Sequence, residues 1–177
     1  QGTGTITNDD SPVPMAGNYT VGGTAPDYVD LMAAIADLNL KGVSAGGVTF
    51  NVRMGTYNGA HVLTAGGTSA NPVVIQPEPG ATVLLTNLSG SGPVLFFSGS
   101  DYTTLQGVTI NAGEQGIHVD ANNVTISGNI LNQSGFSGDF THGIRILGGT
   151  GNSVLNNTLT LTVSAPGTAR YTIRDDA

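Results

Sequence analysis

From Val48 onward the apolar positions of the chain recur at every second residue. Val48-Thr-Phe-Asn-Val-Arg53 alternates, Gly55-Thr-Tyr57 turns a corner into His61-Val-Leu63, and Val73-Val-Ile-Gln76 with Val83-Leu-Leu85 repeats the arrangement. This period marks strands with one buried face. Val94-Leu-Phe-Phe97 opens another round, and a phrase then recurs: Thr103-Thr-Leu-Gln-Gly-Val-Thr-Ile110, Asn123-Val-Thr-Ile-Ser-Gly-Asn-Ile130 and Asn152-Ser-Val-Leu-Asn-Asn-Thr-Leu159. Aligning Leu105, Ile126 and Leu155 gives separations of 21 and 29 residues, and a second series, Ile117-His-Val119 and Ile144-Arg-Ile146, keeps step at 27. Self-similarity at such a period predicts a solenoid, in which each short strand pairs with its equivalent one coil along. The expected fold is all-β, a right-handed parallel β-helix of about five coils. Its inward row is Val48, Phe50, Val52, Val73, Ile75, Leu105, Val108, Ile110, Ile117, Val119, Val124, Ile126, Ile144, Ile146 and Leu155. The longer interval before Leu155 is assigned to a Gly-rich insertion, Gln133 to His142, at one corner.

Ahead of the coils the period is 3.6. Tyr28, Leu31, Met32, Ile35 and Leu38 share one helical face, with Asp27 as N-cap, Asp30 at the capping-box position and Lys41-Gly42 as the stop. Solenoid cores are open at both ends. The helix, about 27–41, is expected to cap the N-terminal end, whereas Arg170-Tyr-Thr-Ile-Arg-Asp-Asp-Ala177 leaves the other end bare. Residues 1–17 read as an extended arm and linker before a β-helix domain over 18–177 that opens with the short strand Asn18-Tyr-Thr-Val-Gly22. Gly2-Thr-Gly-Thr-Ile-Thr-Asn-Asp-Asp10 alternates like a lone strand, and Ser11-Pro-Val-Pro14 is held extended by its prolines.

Composition agrees with short strands and tight corners. The 177 residues include 27 Gly, no Cys and no Trp, and only 17 Asp, Glu, Lys or Arg. Absence of Cys removes disulfide scaffolds and thiolate metal sites and fits an oxidising exterior. A net charge of −7 with five basic residues argues against nucleic acid, whose phosphates require a basic face. No apolar run approaches the ~18 residues of a membrane-spanning helix, so membrane insertion is not expected. The reading is an extracellular or cell-surface chain whose signal peptide has been removed.

Tyr19-Thr-Val-Gly-Gly-Thr-Ala-Pro-Asp-Tyr28, the helix, and Val48-Thr-Phe-Asn-Val-Arg-Met-Gly-Thr-Tyr57 resemble the opening of β-helix modules in large secreted and surface proteins of Bacteroidota, with Met54 in place of their usual Pro. The resemblance implies a right-handed β-helix in an exported modular protein and carries no catalytic motif. Gly2-Thr-Gly-Thr-Ile-Thr-Asn-Asp-Asp10 resembles the last strand of Calx-β repeats, whose closing acidic pair helps bind Ca²⁺, which makes Asp9 and Asp10 the candidate metal ligands.

Candidate chemistry is sparse. His61, His118 and His142 lie outside any spaced metal motif and read as surface or corner residues. His118, Asp120 and Arg145 form the one loose polar group, and the chain is not expected to be an enzyme. Asn123 and Asn156 are expected at coil corners, where stacked amides hydrogen-bond along the axis. The leading expectation is a structural subunit that joins copies of itself head to tail into a fibre or stalk. An orphan strand and a bare coil both present unpaired edges, and such edges recruit other chains. The interface residues would be Thr3, Thr5, Ile6 and Thr7 on the arm, and Arg170, Tyr171 and Ile173 on the last strand. Two alternatives stand beside it. One is a glycan-binding or glycan-cleaving module using Tyr102, Phe136 and Phe140; the other is an inert spacer of a large adhesin.

Overall fold

The computed structural model describes residues 11–88, 92–113, 115–134, 141–162 and 170–176. They form a parallel β-solenoid of about five turns. A leading strand, β1 (Met15–Val21), and one helix, α1 (Leu31–Lys41), precede it. The first coil holds β2 (Val43–Val52), β3 (Gly55–Asn58) and β4 (His61–Leu63), and the second β5 (Val73–Pro77), β6 (Val83–Asn87) and β7 (Leu95–Ser98). The third holds β8 (Thr103–Gln106), β9 (Thr109–Ala112) and β10 (Gln115–Asp120), and the fourth β11 (Thr125–Ser127), β12 (Ile130–Ser134) and β13 (Thr141–Gly148). β14 (Ser153–Leu155), β15 (Thr158–Thr162) and β16 (Arg170–Asp175) make the fifth. Equivalent strands stack into three sheets, ordered β1-β2-β5-β8-β11-β14, β3-β6-β9-β12-β15 and β4-β7-β10-β13-β16, and every pair is parallel.

Alternation decides which side chains fill the core. Phe50, Ile75, Leu105 and Ile126 stack in one register through the first sheet and are fully buried or nearly so. Leu85, Ile110 and Leu131 do the same in the second, and Leu95, Ile117 and Ile144 in the third. The expected inward row holds with one exception. Leu155 is 53% exposed, and Val154 takes the place opposite Ile126. The corner sets this register. Gly107 and Gly128 occupy a left-handed slot (φ 70° and 64°), and Asn156 fills the same slot in the last coil (φ 55°), so the inward residue falls one position earlier.

The helix also begins later than its spacing predicts. Asp30, not Asp27, is the N-cap, its Oδ1 accepting from the Ala33 amide at 2.8 Å. Asp27 instead binds Thr20: its Oδ2 accepts from the Thr20 amide (2.7 Å) and hydroxyl (2.8 Å). The stop is as expected, with Gly42 left-handed and its amide donating to Leu38 O at 2.8 Å. Leu31, Ala34, Ile35 and Leu38 are buried in the solenoid core, while Met32 is half-exposed. Asn39 faces β4: its Nδ2 donates to Val62 O, and its Oδ1 accepts from the Thr64 and Ala65 amides. β1 starts at Met15, three residues ahead of the expected strand. No helix among the described residues is long and apolar enough to cross a membrane.

Candidate association surface at the last coil

In the inner coils, each core side chain is covered by the coil on either side. Among the described residues, β14, β15 and β16 have a strand neighbour on one side only. Val154 and Leu159 are accordingly only partly buried, and Ile173 is 50% exposed. Ile146, Gly149, Val154, Ile173 and Asp175 line a hollow of about 290 Å³ at this end. Among the described residues, apolar surface and strands with a single neighbour thus lie on one face.

A charged ladder leads up to that face. Register places Val62, Phe96, His118, Arg145 and Arg174 in one column across the third sheet. The column passes from apolar at β4 to basic at β13 and β16. His118 stands edge-on to Phe96, ring centroids 6.0 Å apart. It is only 8% exposed, and its pKa is pushed down to about 4, chiefly by burial and then by the Arg145 charge beside it. It is therefore neutral at neutral pH. Asp176 closes the column, accepting from Arg145 Nε at 2.7 Å and Arg174 Nε at 2.5 Å, and these two bonds hold its carboxyl below the usual range.

The sequence-predicted residues distribute unevenly over this geometry. Thr3, Thr5, Ile6, Thr7, Asp9 and Asp10 lie outside the described residues, as do Phe136 and Phe140. Arg170 and Tyr171 sit in β16 opposite Thr141 and His142. Tyr102 is a corner residue with φ 50°, its amide donating to Asn122 O at 3.0 Å, in the column that holds Asn123 and Gly151 in later coils. The grouping of His118 with Arg145 holds, but Arg145 pairs with Asp176, while Asp120 is exposed beside Gly148.

Two readings are corrected. All three histidines are buried, not superficial: His61 at 2%, His118 at 8% and His142 at 1% exposure. His61 is held by Nδ1–H donation to Val94 O at 3.1 Å, and burial lowers its pKa. Asn123 and Asn156 do occupy left-handed corners, but the amides that stack are Asn157, next to Asn156, and Asn129 one coil before it. Asn157 Nδ2 donates to Ile126 O, and its Oδ1 accepts from the Asn129 amide and side chain. Asn129 in turn donates to Leu105 O and accepts from the Val108 amide. Sequence reasoning missed Val154 and Leu159; aligning Asn156 with Gly107 and Gly128 would have found both. Among the described residues no group of three or more His, Cys, Asp or Glu could hold a metal ion. No protein family, no curated protein and no solved structure matches the chain.

Proposed function

We propose that this chain is an extracellular structural subunit, a right-handed β-helix capped at its N-terminal side by α1, whose copies associate head to tail into a fibre or stalk. Parallel strands joined by crossovers are right-handed in about 98% of cases. Asn39, bonded along β4, supports the cap. Absence of Cys is consistent with an oxidising exterior.

The observation that carries the reading is the last coil: Val154, Leu159 and Ile173 lie half-covered between strand edges that have one neighbour each among the described residues. The first sheet supplies a matching edge at its other end, because β1 lies there with the same direction as β14. Stacking β14 of one copy on β1 of the next continues the sheet and places Val154 over Tyr19, with main-chain pairing limited to the β1 residues before Thr20, whose amide and carbonyl Asp27 and Tyr28 already hold. A head-to-tail contact of this kind does not close, so it propagates. The N-terminal strand of the incoming copy, Thr3 to Thr7, adds main-chain pairing against the same coil. The test is light scattering and electron microscopy of the full chain beside a Val154→Asp, Ile173→Asp variant. Mass is expected to rise with concentration for the unaltered chain and to stay monomeric for the variant. A strictly monomeric unaltered chain at high concentration overturns the reading.

A second reading, glycan binding, is favoured by one feature of the first sheet. Gln106 Nε2 donates to Gln76 Oε1 (2.7 Å) and Gln76 Nε2 to Asn51 Oδ1 (3.0 Å), forming an amide ladder beside a groove of about 370 Å³ that Ser127 and Asn156 also line. A glycan array with no hit, or hits unchanged in Gln76→Ala, removes it.

A further inference from the structure

The first coil is covered unevenly. On the first sheet, β1 covers β2; on the third, α1 lies along β4 and Asn39 satisfies its edge. On the second sheet, β3 pairs with β6 alone among the described residues. At that position lies a cleft of about 400 Å³, bounded by Gly22 and Gly23 after β1, Val29 to Met32 at the head of α1, and Met54 with the following strand β3. Its rim carries three exposed apolar side chains: Val29 (77%), Met54 (69%) and Met32 (49%).

The main chain of β3 points the same way. The amides of Gly55 and Gly59 donate toward β6, to Thr82 O and Thr86 O. Because donors alternate along a strand, those of Thr56 and Asn58 face away from β6, toward the cleft. An edge of this kind is a template for one more strand.

The side-chain pattern names the strand. In the second sheet, Thr56-Tyr57-Asn58, Thr109-Ile110-Asn111 and Thr158-Leu159-Thr160 stand in one register, an outward Thr, an inward apolar residue, then an outward Asn or Thr. Leu84-Leu85-Thr86 and Ile130-Leu131-Asn132 keep the inward residue and the last position. The arm carries the same order, Gly4-Thr5-Ile6-Thr7, against Gly55-Thr56-Tyr57-Asn58. The first sheet has comparable triplets, such as Thr49-Phe50-Asn51, but its edge is already taken by β1. We infer that Gly4 to Thr7 is the missing strand of the second sheet, seated parallel along β3 of its own molecule with Ile6 over Tyr57. Residues 8–14 span up to about 23 Å when extended. Pro12 and Pro14 favour an extended path from there to Met15. The rim of Val29, Met32 and Met54 is then covered. This seat belongs to one chain and stands whether or not copies associate; it uses one edge of the strand and leaves the other for the last coil of a neighbouring copy.

The chain has no Cys, so a pair can be introduced cleanly. In-register neighbours on adjacent strands lie about 4.8 Å apart, within the Cα separations a disulfide bridges. Thr5→Cys with Thr56→Cys should oxidise to an intramolecular disulfide in most molecules, at any protein concentration. Thr5→Cys with Thr125→Cys, on the outer face of the first sheet, should not. Hydrogen exchange gives a second measurement without substitution: the Thr56 and Asn58 amides should be protected in the full chain and exchange freely once residues 1–10 are deleted. Absence of the crosslink together with unprotected amides overturns the seat, and so does a disulfide found only between molecules. Assembly that persists in the absence of the crosslink leaves the head-to-tail reading intact while removing this one.

Discussion

Single residues decide the coil more than propensities do. Asn129 ties three coils together, because its side chain bonds the Val108 amide, Leu105 O and Asn157 Oδ1 while 99% buried. Asn129→Ala leaves buried main-chain groups unpaired, and each such group costs about 1–3 kcal/mol. A loss of roughly 2–4 kcal/mol in denaturant unfolding is expected on that basis, whereas Leu155→Ser, on an outward side chain, should stay within about 0.5 kcal/mol. Equal effects would refute the register described for the last coil. The pH dependence also belongs at this scale. Folded His118 resists protonation until about pH 4, whereas the unfolded chain takes up its proton near the ordinary value of 6.5. The unfolded state therefore binds more protons between these limits, and stability must fall as pH is lowered through that window. His61 acts in the same direction, and Asp176, with its lowered carboxyl pKa, adds loss at more acidic pH. His118→Gln should flatten the change in unfolding midpoint between neutral pH and pH 5; an unchanged slope would show that His118 is not its source. These contributions were illegible in the sequence. Alternation places His118 outward correctly, but only the packed Phe96 and the Arg145 column explain why an outward ring is buried.

At the scale of elements, the sequence disclosed strand content and stacking, because a period of two needs no tertiary information. The parallel sheets and most of the inward row follow from it. Boundaries were harder. Asp27 and Asp30 both look like N-caps, and the choice between them was made by Thr20, a residue of β1 whose hydroxyl and amide claim the Asp27 carboxylate. Asn39 gives no sequence signal at all. On a helix it reads as an exposed polar residue, yet it serves two amides and one carbonyl at the edge of β4. Asn39→Ala should cost about 1–2 kcal/mol and, more tellingly, should speed hydrogen exchange at Thr64 and Ala65 while leaving the middle coils unchanged. If those two amides exchange at the same rate in the variant, the helix does not protect that edge.

For the molecule as a whole, the distribution of charge bears on how copies would meet. The net charge is −7, yet three of the four Arg, at positions 145, 170 and 174, lie in the last two strands of the third sheet. The opposite end, residues 11–41, holds Asp27, Asp30 and Asp37 with Lys41 as its one cation, and Lys41 is engaged by Asp37 at 2.8 Å. Asp176 offsets part of the basic end by bridging two Arg, so the attraction between ends is modest and adds to apolar burial at Val154, Leu159 and Ile173. The two contributions respond oppositely to salt. Screening shortens the reach of charge to about 8 Å at physiological ionic strength, while excluded salts such as sulfate strengthen apolar burial. Head-to-tail growth should therefore slow as NaCl is raised, because screening weakens the steering of one end toward the other. The final extent of assembly should hold or increase in sulfate. Arg145→Gln with Arg174→Gln should remove most of the NaCl dependence of the rate and leave Asp176 exposed and unpaired. Growth that is insensitive to NaCl in both proteins would mean that the apolar face and the strand edges alone bring copies together.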